Sequence, residues 1–277
     1  TPFEINAEAW ADHASARRWI GVPGSAAIGM YSSPHPLPGT NFKRILHFPA
    51  GTVLAKTLDM EMQRGRPETR RHVETQVLHY DGITWRGYSY AWNDEQTDAS
   101  LVPQSGGRVE FVVGDPAEPE GQRAQTWRFH SRAECVRCHN PWAEHALAFS
   151  VPQINREIDD GAAGVNQLAM FHRIGLIEGR SSASPDRKPE PEPTARGTDV
   201  SSPRLADPHD RSQPLEERAR AYVHVNCGHC HRFGGGGVGT LRLNREVSRD
   251  EMAAIDAVPT QGTFGMDDPR IIAAGDP

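Results

Sequence analysis

The chain has 277 residues, a formal net charge of −6 and 37% hydrophobic residues, with a mean hydropathy of −0.61. No apolar run approaches the about 18 residues that a membrane-spanning helix needs, so we expect no membrane span in this chain. The negative net charge, without a basic stripe, argues against nucleic acid as a partner. The length is sufficient for one large domain or two domains.

The first 130 residues predict a β-rich domain. Stretches rich in β-branched and aromatic residues occur at 52–58, 71–80, 83–92, 110–113 and 126–129. Asp81-Gly82 lies between the second and third stretches and is a strong signal for a two-residue hairpin turn.

Two cysteine motifs follow this region and contain all four cysteines of the chain. The first is "CVRCH" at 135–139, and the second is "CGHCH" at 227–231. Helical spacing of apolar residues predicts one helix near 165–172 and another that begins at Pro214 and runs into the second motif. Residues 179–213 are rich in proline, serine and charge, which predicts a disordered or extended linker between two modules.

A Cys-x-x-Cys pair is compatible with zinc, a redox dithiol, a disulfide or haem. A shared zinc site is disfavoured because the linker separates the pairs, whereas zinc knuckles usually lie about 15–20 residues apart. No βαβ setting supports a redox dithiol. Two disulfides would leave the histidine after each pair unexplained.

The histidine directly after each second cysteine favours covalent haem. Thiols one helical turn apart reach the two vinyl groups on one edge of a porphyrin and form thioethers, and the following imidazole can then bind the iron. The sequence therefore predicts two covalently bound haem c groups. The attachment cysteines and the axial histidines are Cys135, Cys138, Cys227, Cys230, His139 and His231.

Two other motifs are interpreted as loops. The glycines of "GGGGVGT" match G-x-G-x-x-G, but they lack the preceding strand and following helix of a dinucleotide site, so we expect a flexible loop near the haem edge. Residues 93–98 are rich in oxygen ligands but lack the alternating pattern and central glycine of a calcium loop, which favours a solvated turn.

Longer segments connect these motifs to a known family. They are "FPAGTVLAKT" (48–57), "ETQVLHY" (74–80), "GYSYAWNDEQTDA" (87–99), "HSRAECVRCHNPWA" (130–143), "RARAYVHVNCGHCHRF" (218–233) and "QGTFGMDDPRIIAAGDP" (261–277). In these segments the sequence resembles a family of bacterial di-haem c-type cytochromes, and the resemblance covers nearly all of the chain. Members are often fused behind a β-propeller similar to sugar dehydrogenases. The resemblance implies a periplasmic or exported electron-transfer module, with the β region packed against the haem domains.

The second ligand of each iron is open from the sequence. Met170 and His172 on the predicted helix are candidates for the first haem, with His145 as a third. In modules similar to this one, a Met-Pro segment beyond "GDP" supplies the ligand of the last haem. We therefore expect that ligand to lie beyond Pro277, with Met266, in a Gly/Asp turn, as the candidate within the chain.

The predicted fold class is α+β: a β-rich N-terminal domain at 1–130, followed by mainly α-helical cytochrome c-like haem modules at 131–178 and 214–277. We expect the second module to be truncated at its C-terminus. The predicted function is one-electron transfer between a periplasmic dehydrogenase, as a fused domain or a redox partner protein, and a downstream acceptor. A haem enzyme of the peroxidase type and a zinc-binding module stay open as alternatives.

Overall fold

A computed structural model describes residues 1–37, 42–158, 164–180 and 203–275. Of these residues, 33% lie in strands and 16% in helices. The strands are β1 (Pro2–Phe3), β2 (Ser15–Gly21), β3 (Ile28–Pro36), β4 (Lys43–His47), β5 (Val53–Glu61), β6 (Arg70–Tyr80), β7 (Trp85–Trp92), β8 (Ala99–Leu101), β9 (Gly107–Gly114), β10 (Gln122–Phe129), β11 (Glu157–Ile158), β12 (Val165–Asn166) and β13 (Ile177–Arg180). The α-helices are α1 (Arg132–Cys138), α2 (Val151–Ile154), α3 (Gln167–Arg173) and α4 (Leu215–Asn226), and 3₁₀ turns lie at Pro67–Thr69, Pro141–Ala143 and Asp250–Met252.

The largest sheet has six strands in the order β1-β2-β5-β6-β7-β8, and each neighbouring pair is antiparallel. The predicted strands at 71–80 and 83–92 correspond to β6 and β7 and are confirmed. The hairpin between them is longer than predicted, because Tyr80 pairs with Trp85 and leaves a four-residue loop. Asp81 stabilises this loop: its Oδ1 accepts hydrogen bonds from the backbone N–H groups of Ile83 (2.9 Å) and Thr84 (2.8 Å).

Three smaller sheets complete the β structure of the described residues. β9 pairs with β10, β11 pairs with β12, and β3 lies between β4 and β13. The pairing of β13 with β3 is parallel, and it brings the chain after α3 back onto the N-terminal region. The predicted strands at 52–58, 110–113 and 126–129 correspond to β5, β9 and β10 and are confirmed.

The main hydrophobic core combines residues from both sides of residue 130. Phe149 is 1% exposed, and its ring centroid lies 5.0 Å from that of Phe3 and 5.7 Å from that of Phe171. Leu168 and Phe171 on α3 belong to the same cluster as Ile20 on β2. The segment that follows the first cysteine motif therefore shares its core with the β region.

The prediction of mainly α-helical cytochrome c-like modules is wrong. The first predicted module contains α1, α2 and α3, which have 7, 4 and 7 residues, together with short strands. In the second, α4 has 12 residues and is followed by turns and a three-residue 3₁₀ helix. Helical spacing was present at 165–172, but its apolar face packs onto the sheet core and not into a helical bundle.

Most of the predicted linker, residues 181–202, lies outside the described residues. Its first two residues, 179 and 180, belong to β13. In the described part at 203–213, Leu205 is 1% exposed and packs with Ala7 and Ala221, and its N–H donates to the carbonyl of Pro152 (2.9 Å). Within the described ranges, no helix has the length and apolar character needed to cross a bilayer.

Candidate functional site

The first cysteine motif lies on α1, a short helix with a complete capping box. Ser131 Oγ accepts from the N–H of Glu134 (3.2 Å), and the Glu134 carboxylate accepts from the N–H of Ser131 (2.9 Å). His139 ends the helix, and its N–H donates to the carbonyl of Cys135 (2.9 Å). The capping sets the start of α1 and hence which side of the helix presents Cys135 and Cys138.

Cys135 lies directly over β7 of the six-stranded sheet. A Cβ atom built on Gly87 would lie 2.8 Å from Cys135 Cβ and 3.1 Å from its Sγ. Only glycine at position 87 therefore allows Cys135 to lie this close to β7 without displacing α1. Nearby on β6, Glu74 is 1% exposed, and its carboxylate accepts from Ser89 Oγ (2.5 Å) and Trp127 Nε1 (3.1 Å). The sheet therefore provides a fixed platform for the first motif.

His139 is held as a neutral imidazole. Burial lowers the pKa of His139 to about 4, and the hydrogen bond to the carbonyl of His145 opposes this shift only in part. That bond, from His139 Nδ1 to the oxygen, is 2.6 Å long. Because Nδ1 donates its proton to a carbonyl, Nε2 has the lone pair and is free to bind a metal ion.

The second motif follows α4 directly. The N–H groups of Cys230 (3.1 Å) and His231 (2.8 Å) both donate to the carbonyl of Cys227, which closes a tight turn. Gly228 permits the turn, because a Cβ there would lie 2.7 Å from the carbonyl oxygen of His224 and 3.0 Å from that of Leu243. His231 Nδ1 is buried and has no hydrogen-bond partner.

The two motifs meet in space. Ligand atoms of Cys138, His229 and Cys230 all lie within 4.8 Å of one another. Asn140 Nδ2 donates to the carbonyl of His229 (3.1 Å), which joins the residue after the first motif to the second motif. The two motifs were expected in separate modules, and His229 was not among the predicted site residues, although this histidine lies inside "CGHCH".

Aromatic and charged side chains extend this contact. Arg232 Nη1 donates to the carbonyl of Trp142 (2.9 Å), and the ring of Trp142 packs edge-on against Phe233 with centroids 5.3 Å apart. Gly234 lies against the indole of Trp142, since a Cβ there would overlap Cε2. A Cβ on Gly237 would lie 2.8 Å from the carbonyl oxygen of Cys230. The glycine-rich segment is therefore a loop next to the second motif, which confirms the predicted loop; its flexibility and its position at a haem edge stay predictions.

All four cysteines are free thiols in the structure, so neither pair forms the disulfide considered above. Burial raises the pKa of Cys138 to about 11, and the neighbouring Cys230 adds to the shift. Burial also raises the pKa values of Cys135 and Cys227. Redox dithiols depend on a thiol with a lowered pKa, so these shifts disfavour that chemistry.

The candidate second ligands lie in different surroundings. His145 is adjacent to the first motif: its carbonyl accepts from His139, and its ring stacks on Trp85 with centroids 6.3 Å apart. Met170 packs against the main core, and among the described residues no hydrogen bond, ion pair or ring contact joins Met170 or His172 to either motif. Met266 is 51% exposed in a turn.

The oxygen-rich segment at 93–98 is a turn between β7 and β8. Asn93 Oδ1 accepts from the N–H groups of Thr97 (2.9 Å) and Asp98 (3.2 Å). The side-chain oxygen of Asn93 is therefore used within the turn, as the sequence predicted.

No protein-family model, no curated protein and no solved structure matches the chain. The resemblance to di-haem cytochromes accordingly stays a prediction from the quoted segments.

Proposed function

We propose that the chain is a di-haem c-type cytochrome that transfers single electrons between a periplasmic dehydrogenase, as a fused domain or partner, and a downstream acceptor. The observation that supports this most is the state of His139, which follows two free thiols and has Nε2 available as a ligand. Haem supplies the reversible one-electron change at its iron. A periplasmic location is part of the proposal, because bacteria attach haem c outside the cytoplasmic membrane.

The residues of the first motif fit a covalently attached haem. Cys135 and Cys138 are separated by one turn of α1, which matches two thioether bonds to one edge of the group. The carbonyl of His145 orients the imidazole of His139 and increases its basicity through the Nδ1 proton, as second-shell partners of metal-bound histidines do. The sheet beneath α1 limits the movement of Cys135.

The second motif is compatible with a covalently attached haem for a different reason. Cys227 and Cys230 have the same spacing in a tight turn, and His231 has no hydrogen bond at its buried Nδ1. Its ring can therefore turn toward a ligand without breaking a hydrogen bond at this atom. Because Cys138 and Cys230 lie side by side, the attachment points of the two haems are adjacent. This supports electron transfer between the two haems within one chain.

A metal-binding module is the second candidate, and the cluster of Cys138, His229 and Cys230 favours it. Two thiolates and one imidazole are a known zinc ligand set that leaves a fourth position open. The two candidates exclude each other, because Cys138 and Cys230 cannot be thioethers and thiolates together.

A haem count on the purified protein tests the proposal. The protein is produced in a host that attaches haem c, and the covalent haem that resists denaturation is quantified as the pyridine haemochrome. We expect two haems in the unmodified chain and one in each of the double variants Cys135→Ala/Cys138→Ala and Cys227→Ala/Cys230→Ala.

His229→Ala is the matched control, since it removes only the ligand that the metal candidate requires. It should keep both haems. A chain with no covalent haem that binds one zinc ion and loses it in His229→Ala would overturn the cytochrome proposal and support the metal site. One high-spin haem that reacts with peroxide would favour the haem-enzyme alternative.

A further inference from the structure

Cys138 and Cys230 are the thiols through which the two motifs touch. Their sulfur atoms lie within 4.8 Å of each other, and the two side chains share a hydrogen bond. Cys135 lies instead against Gly87 on β7, and Cys230 acts on Cys227 through charge without a hydrogen bond. The direct contact between two thiols therefore joins one motif to the other.

Two hydrogen bonds across this contact hold the motifs together. Asn140 Nδ2, just after the first motif, donates to the carbonyl of His229 (3.1 Å). Arg232 Nη1, just after the second motif, donates to the carbonyl of Trp142 (2.9 Å). Two groups that a fold holds side by side react with each other much more readily than two groups that meet by diffusion.

The second motif can supply the remaining approach of the two sulfur atoms. A disulfide bond is about 2.05 Å long, so at least one thiol must move. The first motif lies on α1, which contacts β7 closely at Gly87. Cys230 lies in a turn, in which its N–H donates to the carbonyl of Cys227 (3.1 Å), and a glycine-rich loop follows it. Cys138 and Cys230 are only partly buried, so a small reagent can reach them.

We propose that Cys138 and Cys230 form a disulfide in the chain before haem is attached, with a glutathione-type disulfide as the oxidant. One protein thiolate attacks a sulfur of the oxidant, which forms a mixed disulfide and releases one glutathione thiolate. The other protein thiolate attacks the protein-side sulfur and releases the second glutathione. The two protein thiols lose two electrons and two protons, and the oxidant gains them and becomes two glutathione thiols.

This bond is a cross-link between the motifs and differs from the cycling dithiol that the raised pKa of Cys138 disfavours. It uses one cysteine of each motif, and a thioether to haem needs the same sulfur atoms. One bond would therefore prevent complete haem attachment at both sites until it is reduced. This consequence rests on the proposed function, whereas formation of the bond does not.

The test uses the full chain, produced in a host that attaches no haem c. The reduced chain is incubated with oxidised glutathione in native buffer and, in parallel, in concentrated urea. Remaining thiols are blocked with N-ethylmaleimide and counted by intact mass, and digestion without reduction identifies the linked peptides. In native buffer we expect two blocked thiols, Cys135 and Cys227, and one peptide pair linked through Cys138 and Cys230. In urea this link should become one of several pairings, because the contact between the motifs is lost.

Two double variants give a matched comparison in native buffer, with circular dichroism to show that both fold. Cys135→Ser/Cys227→Ser retains only Cys138 and Cys230 and should lose both thiols on oxidation without gaining glutathione. Cys138→Ser/Cys230→Ser retains only Cys135 and Cys227 and should form no internal disulfide.

Three results in native buffer would overturn this inference: four free thiols, disulfides within the pairs 135–138 and 227–230, or the same mixture of pairings as in urea. None of them would affect the proposed function, which the haem count tests separately. A chain with two covalent haems should give no cross-link, because its cysteines are thioethers. A chain that forms the cross-link but takes up no covalent haem in a host that attaches haem c would support the disulfide and overturn the proposed function.

Discussion

The two cysteine motifs have the same spacing but are supported by different kinds of structure. The first lies on a capped helix that contacts β7 of a six-stranded sheet. The second follows α4 and leads into a segment of turns, residues 228–275, that contains one short 3₁₀ helix. The difference indicates that the first site is set by the fold, whereas the second is set by loop contacts and by its contact with the first.

The second region is held mainly by hydrogen bonds to loop backbone. His224 Nδ1 accepts from the N–H of Arg245 (3.1 Å), and Arg220 Nη2 donates to the carbonyl of Arg245 (3.1 Å). Its buried apolar residues are Leu243, Met252 and Ala254. A ligand that binds only the folded state stabilises that state. Because this region buries so few apolar residues of its own, we expect it to gain more stability from haem than the first region does.

Removal of a large core side chain from each region is the strongest test of this difference. Phe149→Ala should reduce the free energy of unfolding by about 3–5 kcal/mol, since Phe149 is 1% exposed and packs among three aromatic rings. Met252→Ala should reduce it by about 2 kcal/mol, because the surrounding loops can close around the cavity. Urea unfolding followed by circular dichroism measures both. Equal losses of unfolding free energy in the two variants would contradict the difference between the two regions.

A buried amine beneath the first motif predicts a pH-dependent stability. Burial, with a further contribution from Arg18, lowers the pKa of Lys56 to about 8. The pKa of a lysine in the unfolded chain is about 10.4. Between pH 8 and 10.4 the unfolded chain therefore binds more protons than the folded chain, so the free energy of unfolding rises with pH in this window. At pH 7, which is below both pKa values, the charged amine therefore destabilises the folded chain by about 3 kcal/mol.

Lys56→Met should therefore unfold at a higher urea concentration than the unmodified chain at pH 7. The difference between the two urea midpoints should decrease as the pH rises above 8. Denaturation at a series of pH values tests this. Lys43, an exposed lysine, provides the control variant Lys43→Met, for which we expect a constant difference. A gap that widens with pH would show that Lys56 is paired and charged in the folded chain.

A methyl group at Gly87 tests how closely α1 contacts the sheet. Gly87→Ala should destabilise the chain by about 1–3 kcal/mol, because the new Cβ would overlap Cys135 Cβ and force the helix away from β7. Gly179→Ala is the matched control on β13, where nothing lies within 4 Å of the added atom. Thermal unfolding of both variants compares them. Similar melting temperatures would mean that α1 moves freely on the sheet.

Local patterns in the sequence were sufficient for some of these features. Clusters of β-branched and aromatic residues on both sides of Asp81-Gly82 predicted β6 and β7, and apolar spacing after Pro214 predicted α4, since both signals depend on neighbours within a few residues. Helical haem modules were predicted wrongly because the helical spacing at 165–172 indicates an apolar helical face without indicating what covers it. The sheet core covers it here.

The contact between the motifs had no local signal. It depends on Asn140 reaching His229 and Arg232 reaching Trp142, which are pairs separated by 89 and 90 positions. No periodicity records such a pairing.

The smallest expected effect concerns the cap of α1. A comparison of two serine-to-alanine variants distinguishes loss of a capping hydrogen bond from loss of a hydroxyl group that caps nothing. Ser131→Ala removes the acceptor for the Glu134 N–H and should reduce stability by about 1 kcal/mol. Ser150 also precedes a helix, α2, but its side chain makes no capping hydrogen bond, so Ser150→Ala should change stability by less than about 0.5 kcal/mol. Urea unfolding of the two variants gives the difference in their free energies of unfolding.

If both variants lose the same free energy of unfolding, the capping box does not stabilise α1. If only Ser131→Ala is destabilised, and haem occupancy of the first motif falls with it, the helix start contributes to placing Cys135 and Cys138 for attachment.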